Sequence, residues 1–155
     1  IAKIIFFATG PITAVMFPLV SQKKSRGEPF RKIFIYTFGA TTLFSMLSLI
    51  IYWFFPSLVV RLLYGSAYLE ASGLLIWFGI FISFFTLSSV LITYNLSLGK
   101  AKVALLPLTA AVTQVIAIIL FHQNLFMVIV VSIIVNDLKL LCLLIYSTYG
   151  RRLSI

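Results

Sequence analysis

Residues 33–55 read IFIYTFGATTLFSMLSLIIYWFF, and residues 56–70 that follow read PSLVVRLLYGSAYLE. The first stretch carries no charge. About 23 residues of helix extend roughly 34 Å, enough to cross a hydrocarbon core of about 30 Å. The second stretch opens with Pro56, which stops the preceding helix because proline lacks an N–H and its ring clashes with the turn before it. Gly65 supplies a flexible joint, and Tyr64 and Tyr68 flank it with rings suited to a membrane–water boundary. Another long apolar run leaves residue 70 in the opposite direction. The spacing therefore predicts an interfacial elbow built on Pro56, Arg61, Gly65 and Tyr68, with a short interfacial helix over residues 57–64.

Composition extends this reading to the whole chain. Of the 155 residues, 62% are hydrophobic and only 10% are charged, and the mean hydropathy is +1.17. Soluble domains run at about 45–50% apolar and about 25% charged. A soluble fold of this length cannot bury so much apolar surface. The predicted fold class is all-α: a polytopic membrane helix bundle with about five transmembrane helices, at about 4–20, 33–55, 71–96, 103–121 and 126–149. Residues 1–155 form a single transmembrane region. The chain opens on Ile1 inside apolar sequence, and the expectation is a fragment with an odd number of spans upstream.

The net charge of +9 comes from short gaps between apolar runs, which fits a membrane protein's cytoplasmic loops and not a nucleic-acid-binding face. Lys23, Lys24, Arg26, Arg31 and Lys32 crowd the first loop, Lys100 and Lys102 the third, and Arg151 and Arg152 follow the last span. The second connection holds only Arg61 against Glu70, and the fourth holds no charge if His122 is neutral. Strict alternation predicts a multi-pass protein of the cytoplasmic (inner) cell membrane with its C-terminus cytoplasmic and the elbow outside. Membrane lipid is the expected surrounding partner, and nucleic acid is not.

Three acids and one histidine leave little for acid–base catalysis. The chain has no HExxH, GxSxG or phosphate-binding glycine loop, and its lone Cys142 cannot pair within the chain. An enzyme is not expected, nor is a cofactor or a metal site. The intramembrane polar candidates are Asn136, Asp137 and Lys139 in the last span, with Gln114 in the span before it. An ionised carboxylate in mid-span costs roughly 2.5–3.5 kcal/mol on insertion scales, so Asp137 should face protein or water. Lys139, two positions on, points to another helix face. Such groups serve either as an ion relay or anionic-headgroup contact, or as structural contacts between helices. In the first span Gly10 and Pro11 mark a kink, and Lys3 sits near its mouth.

Three local features resemble one family. Met16-Phe-Pro-Leu-Val-Ser21 leads into a basic loop containing Gly27 and Glu28. Residues 56–71, with Pro56, Gly65, Tyr68 and Ala71 in order, are similar to that family's proline-to-glycine stretch. Ser97-Leu-Gly-Lys100 is similar to its short Gly-Lys turn. The family is the polysaccharide-biosynthesis, or O-antigen flippase, branch of the multidrug/oligosaccharidyl-lipid/polysaccharide exporters. The resemblance implies a bundle of twelve or fourteen helices in two lobes working by alternating access. This chain would supply the last five helices of a twelve-helix member, and the partner would be the missing N-terminal lobe of the same chain. The implied function is translocation of an undecaprenyl-pyrophosphate-linked oligosaccharide for cell-surface polysaccharide synthesis, coupled to a proton or sodium gradient. The implied substrate pathway runs along the first span, at Lys3, Thr9, Gly10 and Pro11, with the last span more peripheral. Two alternatives stand beside it: a multidrug cation antiporter of the same superfamily, which needs an acidic cavity, and a membrane enzyme of polysaccharide assembly whose active site lies in the missing part.

Overall fold

A computed structural model describes residues 2–149 as an all-α bundle, with no strand among the described residues. The helices are α1 (Ile4–Ser25), α2 (Arg31–Phe54), α3 (Pro56–Tyr64), α4 (Ser72–Ser97), α5 (Leu105–Leu120) and α6 (Leu125–Tyr149). Short 3₁₀ turns at Ser66–Ala71 and Ala101–Ala104 lead into α4 and α5. Five helices are long and apolar enough to cross a membrane: α1, α2 and α6, and α4 and α5 with their leading turns. Arg151 and Arg152 lie outside the described residues.

The interior is more polar than the exterior. Thr37, Thr41, Ser45 and Ser48 are buried along one face of α2, while Leu43, Met46, Leu47 and Ile50 are exposed on the others. Phe7 is 70% exposed and Leu62 77%. Water as solvent would reverse that distribution, because exposing large apolar side chains costs about 1.5–3 kcal/mol each. Lipid as solvent accounts for it, since helices there associate through small and hydroxyl-bearing faces that let backbones approach. Several buried hydroxyls are satisfied locally: Thr41 Oγ1 donates to the Thr37 carbonyl at 2.8 Å, Ser83 Oγ to Gly79 at 2.8 Å and Thr86 Oγ1 to Ile82 at 2.7 Å, whereas Ser45 Oγ has no partner among the described residues.

α4 is the central helix. It packs most extensively against α6, then against α1 and α2. Its crossing with α2 turns on Gly79, where an added Cβ would stand 2.9 Å from Leu49 Cδ2 and 2.9 Å from the Tyr52 ring. Gly79→Val should therefore destabilise the bundle by about 1–3 kcal/mol through overpacking. Thermal unfolding in detergent checks this, and an unchanged midpoint would mean that α2 and α4 pack elsewhere.

Three small cores fix the ends. Ile5, Tyr52, Val60, Leu75 and Ile82 join α1, α2, α3 and α4 at one end. At the other, Met16, Val20, Val90 and Tyr94 join α1 to α4, with Phe34 of α2 stacked on Tyr94 at 4.2 Å. Leu91, Val103, Leu140 and Leu143 bring α4 and α6 together with the turn that leads into α5. In the second end region α1 runs past the predicted 4–20 span to Ser25. Gln, Lys and Ser continue a helix at little cost, and Lys23 and Lys24 favour its negative C-terminal pole. The stop comes at Gly27, whose φ of 69° is open to glycine. Gly27 N–H donates to Lys24 O at 3.1 Å and Glu28 N–H to Lys23 O at 2.9 Å, the paired bonds of a Schellman cap. α4 ends the same way at Gly99, with Gly99 N–H to Leu96 O at 2.8 Å and Lys100 N–H to Asn95 O at 3.1 Å. Lys24 Nζ then donates to Leu98 O, tying the two basic loops together at one end of the bundle.

The elbow is a helix and a turn at the opposite end. Pro56 occupies the first turn of α3, where its missing N–H costs nothing. Gly65, at φ 86° and ψ 176°, then redirects the chain into the turn before α4. The helix left at the edge is α5: none of its residues is buried and it packs on α6 and its own leading turn. The last helix, α6, instead packs against α4 within this bundle, burying Ser132, Asn136 and Lys139 beside Val135, Leu140 and Leu143.

Candidate functional site

Two features gather polar side chains inside the span. The first is a groove of about 210 Å³ between α1 and α4. Thr9 and Thr13 line it from α1, and Thr86, Ser89 and Thr93 from α4, with Phe6 at one limit. The positions repeat at three and four residues, which places each set on one helix face. Gly10 and Ala14 form the α1 wall between the hydroxyls, and a Cβ on Gly10 would meet no atom within 4 Å. Pro18, four residues after Ala14, leaves the Ala14 carbonyl without its α-helical N–H donor.

Toward the elbow, Ala2 and Lys3 just before α1, together with α3, α4 and the start of α6, border a larger cavity of about 480 Å³. Lys3 and Tyr64 line it together with Leu75, Phe78, Phe81 and Leu125, so its walls are apolar apart from the lysine and the tyrosine hydroxyl. Phe6 belongs to the groove and Phe81 to the cavity. Phe85 contacts both, at 5.6 Å from the Phe6 ring and 6.5 Å from the Phe81 ring.

The second feature is a hydrogen-bonded network on α6. Lys139 is only 9% exposed, and its Nζ donates to Asn136 Oδ1 at 2.6 Å. Asn136 Nδ2 donates to Ser132 O at 2.9 Å and to Gln114 Oε1 of α5 at 3.4 Å. Gln114 Nε2 in turn donates to Ser132 Oγ at 3.1 Å. The ammonium also stands 4.8 Å from the centre of the Phe85 ring, where the negative face of the π system attracts it. Phe85 thus contacts both the cationic network and the groove's Phe6.

Of the residues predicted from sequence, Thr9 and Gly10 line the groove, Lys3 lines the neighbouring cavity, and Pro11 is exposed beside them. Asn136, Lys139 and Gln114 come together. Asp137 does not join them: it is half-buried and makes no hydrogen bond or ion pair among the described residues. Pro56 is half-buried and Arg61, Gly65 and Tyr68 are exposed at the elbow, away from both features. Thr13, Thr86, Phe85 and Ser132 were not singled out from sequence. The repeat Ser132, Asn136, Lys139 at four and three residues is a readable signal for the second group. Among the described residues no three His, Cys, Asp or Glu side chains cluster to hold a metal.

No protein-family model, curated protein or solved structure matches the chain. The five apolar helices and the inverted polarity define a multi-pass membrane protein.

Proposed function

We propose that this chain is part of a membrane transporter that moves a lipid-linked oligosaccharide across the cytoplasmic membrane by alternating access, as the sequence resemblance implies. The single observation that carries the reading is the hydroxyl-lined groove running between α1 and α4 at membrane depth. Polar surface of this kind is costly facing hydrocarbon and is kept where it faces a pathway or a partner helix. The chemistry present supports transport over catalysis. The groove holds hydroxyls and no carboxylate or histidine, so it binds without acid–base equipment. Lys139, one aromatic ring away, supplies the positive charge that a pyrophosphate requires.

The orientation follows the basic loops. Lys24 joins the first loop to the third at one end, and that end is cytoplasmic under the positive-inside rule. The cavity bordered by Lys3 and Tyr64 then opens toward the outer leaflet. A cation antiporter of the same superfamily is the second reading. The half-buried Asp137, which makes no hydrogen bond or ion pair among the described residues, is the observation in its favour.

Cells lacking the protein provide the test. The lipid-linked glycan should accumulate accessible only from the cytoplasmic side, and normal display on the outer leaflet in such cells would refute the reading.

A further inference from the structure

The groove's hydrogen bonds say which part of an amphipathic substrate it can hold. A hydroxyl carries one proton and two lone pairs. Thr9 Oγ1 donates to the Ile5 carbonyl at 2.8 Å, Thr13 Oγ1 to Thr9 O at 3.1 Å, Thr86 Oγ1 to Ile82 O at 2.7 Å and Ser89 Oγ to Phe85 O at 3.0 Å. A carbonyl can only accept, so the direction of all four bonds is fixed. These protons are committed to the helix backbone; Thr9 and Thr86 are themselves buried, and the half-buried Thr13 and Ser89 are the ones whose oxygens offer lone pairs to the groove. Of the five hydroxyls, only Thr93 makes no such bond among the described residues. Apart from Thr93, the groove therefore presents acceptors.

An acceptor surface selects its ligand. A phosphate offers acceptors only and needs several N–H or O–H donors, and this groove has one uncommitted hydroxyl, Thr93, among the described residues. An organic cation would suit acceptors, but no carboxylate lines the groove, and the Lys139 ammonium against the Phe85 ring opposes a second positive charge. A sugar presents a dense array of neutral donors. Resting on the transport reading above, we infer that the α1–α4 groove recognises the sugar hydroxyls of the substrate and leaves its phosphate to be held elsewhere.

Three photoreactive amphiphiles with one diazirine-bearing alkyl tail and different heads (glucoside, phosphate or trimethylammonium) test this on the protein in lipid nanodiscs. Crosslinked peptides are mapped by mass spectrometry, with saturation curves giving apparent affinities. The glucoside should label around Thr9–Thr13 and Thr86–Thr93, ahead of the other two heads. The pair Thr13→Val with Ser89→Ala deletes two half-buried acceptors and leaves the backbone carbonyls their helical N–H partners. It should weaken glucoside binding about tenfold, the loss of two neutral hydrogen bonds, with an unchanged unfolding midpoint. Preferential labelling by the phosphate or the ammonium head would overturn the inference, as would glucoside labelling indifferent to the two substitutions. Selective glucoside binding by a protein that moves no lipid-linked glycan would leave the inference standing and remove the transport reading.

Discussion

Gly10→Leu should abolish translocation while leaving the protein as stable as before, or more stable. Gly10 lies in the α1 wall of the groove, and a Cβ there meets nothing within 4 Å. The Cβ is accommodated, and the rest of a leucine would project into the groove. Replacing glycine in a helix interior by a good helix former gains up to about 1 kcal/mol, so the unfolding midpoint should hold or rise. The groove volume is about 210 Å³, and an isobutyl group takes a large share of it. Transport should fall to background. Thermal unfolding and leaflet-to-leaflet flux measured on one preparation separate the two effects. Full flux in a stable Gly10→Leu protein would show that the substrate does not pass along this seam.

The second large effect is expected at Lys139. In Lys139→Glu, a carboxylate would face Asn136 Oδ1 and the negative face of the Phe85 ring, the two groups that now hold the ammonium. Turning the Asn136 amide to meet it would break the bonds to Ser132 and Gln114. An unpaired charge at this depth costs about 3 kcal/mol or more, and the folded protein should be lost from the membrane. Lys139→Met separates charge from packing. A buried charge exchanged for an apolar side chain of similar volume is often near neutral, so this variant should fold within about 1 kcal/mol of the wild type. Its transport of a pyrophosphate-linked substrate should fall about 10- to 100-fold, the worth of one charge-assisted hydrogen bond. Lys139→Arg should restore part of it. A Lys139→Met protein with wild-type transport would reduce the lysine to a structural contact.

The spans were legible because length and apolar composition alone define a membrane crossing, and the 33–55 run shows it without interruption. The elbow was legible for a different reason: Pro56 and Gly65 each impose a backbone requirement that no packing partner is needed to reveal. The end of α1 was harder to place. Charged residues at 23 and 24 look like loop in a hydropathy reading, yet they are good helix formers, and the backbone turns only at Gly27.

The candidate site was half legible. Gly10 was marked by the kink it makes with Pro11, Thr9 was named only through the resemblance, and Asn136 and Lys139 stood out as polar residues in an apolar span, a spacing of three apart on one helix. Their partners on other helices did not. In helices apolar on nearly every face, hydropathy gives no direction, so nothing in α4 marks Thr86 and Ser89 as the face turned to α1. Phe85 reads as one more lipid-facing ring until its contacts with Phe6 and Lys139 are seen. Likewise, α6 gains its place beside α4 from packing that no single-helix pattern encodes.

The most direct measurement is leaflet accessibility in proteoliposomes. An undecaprenyl-pyrophosphate-linked glycan bearing a fluorophore on its sugar is placed in both leaflets, and a membrane-impermeant reductant is added outside. In vesicles containing the intact protein, the inner-leaflet pool should become reducible in a second, protein-dependent phase that Gly10→Leu eliminates. If that phase is missing, or runs equally fast in protein-free vesicles, this chain does not belong to a machine that moves lipid-linked oligosaccharide.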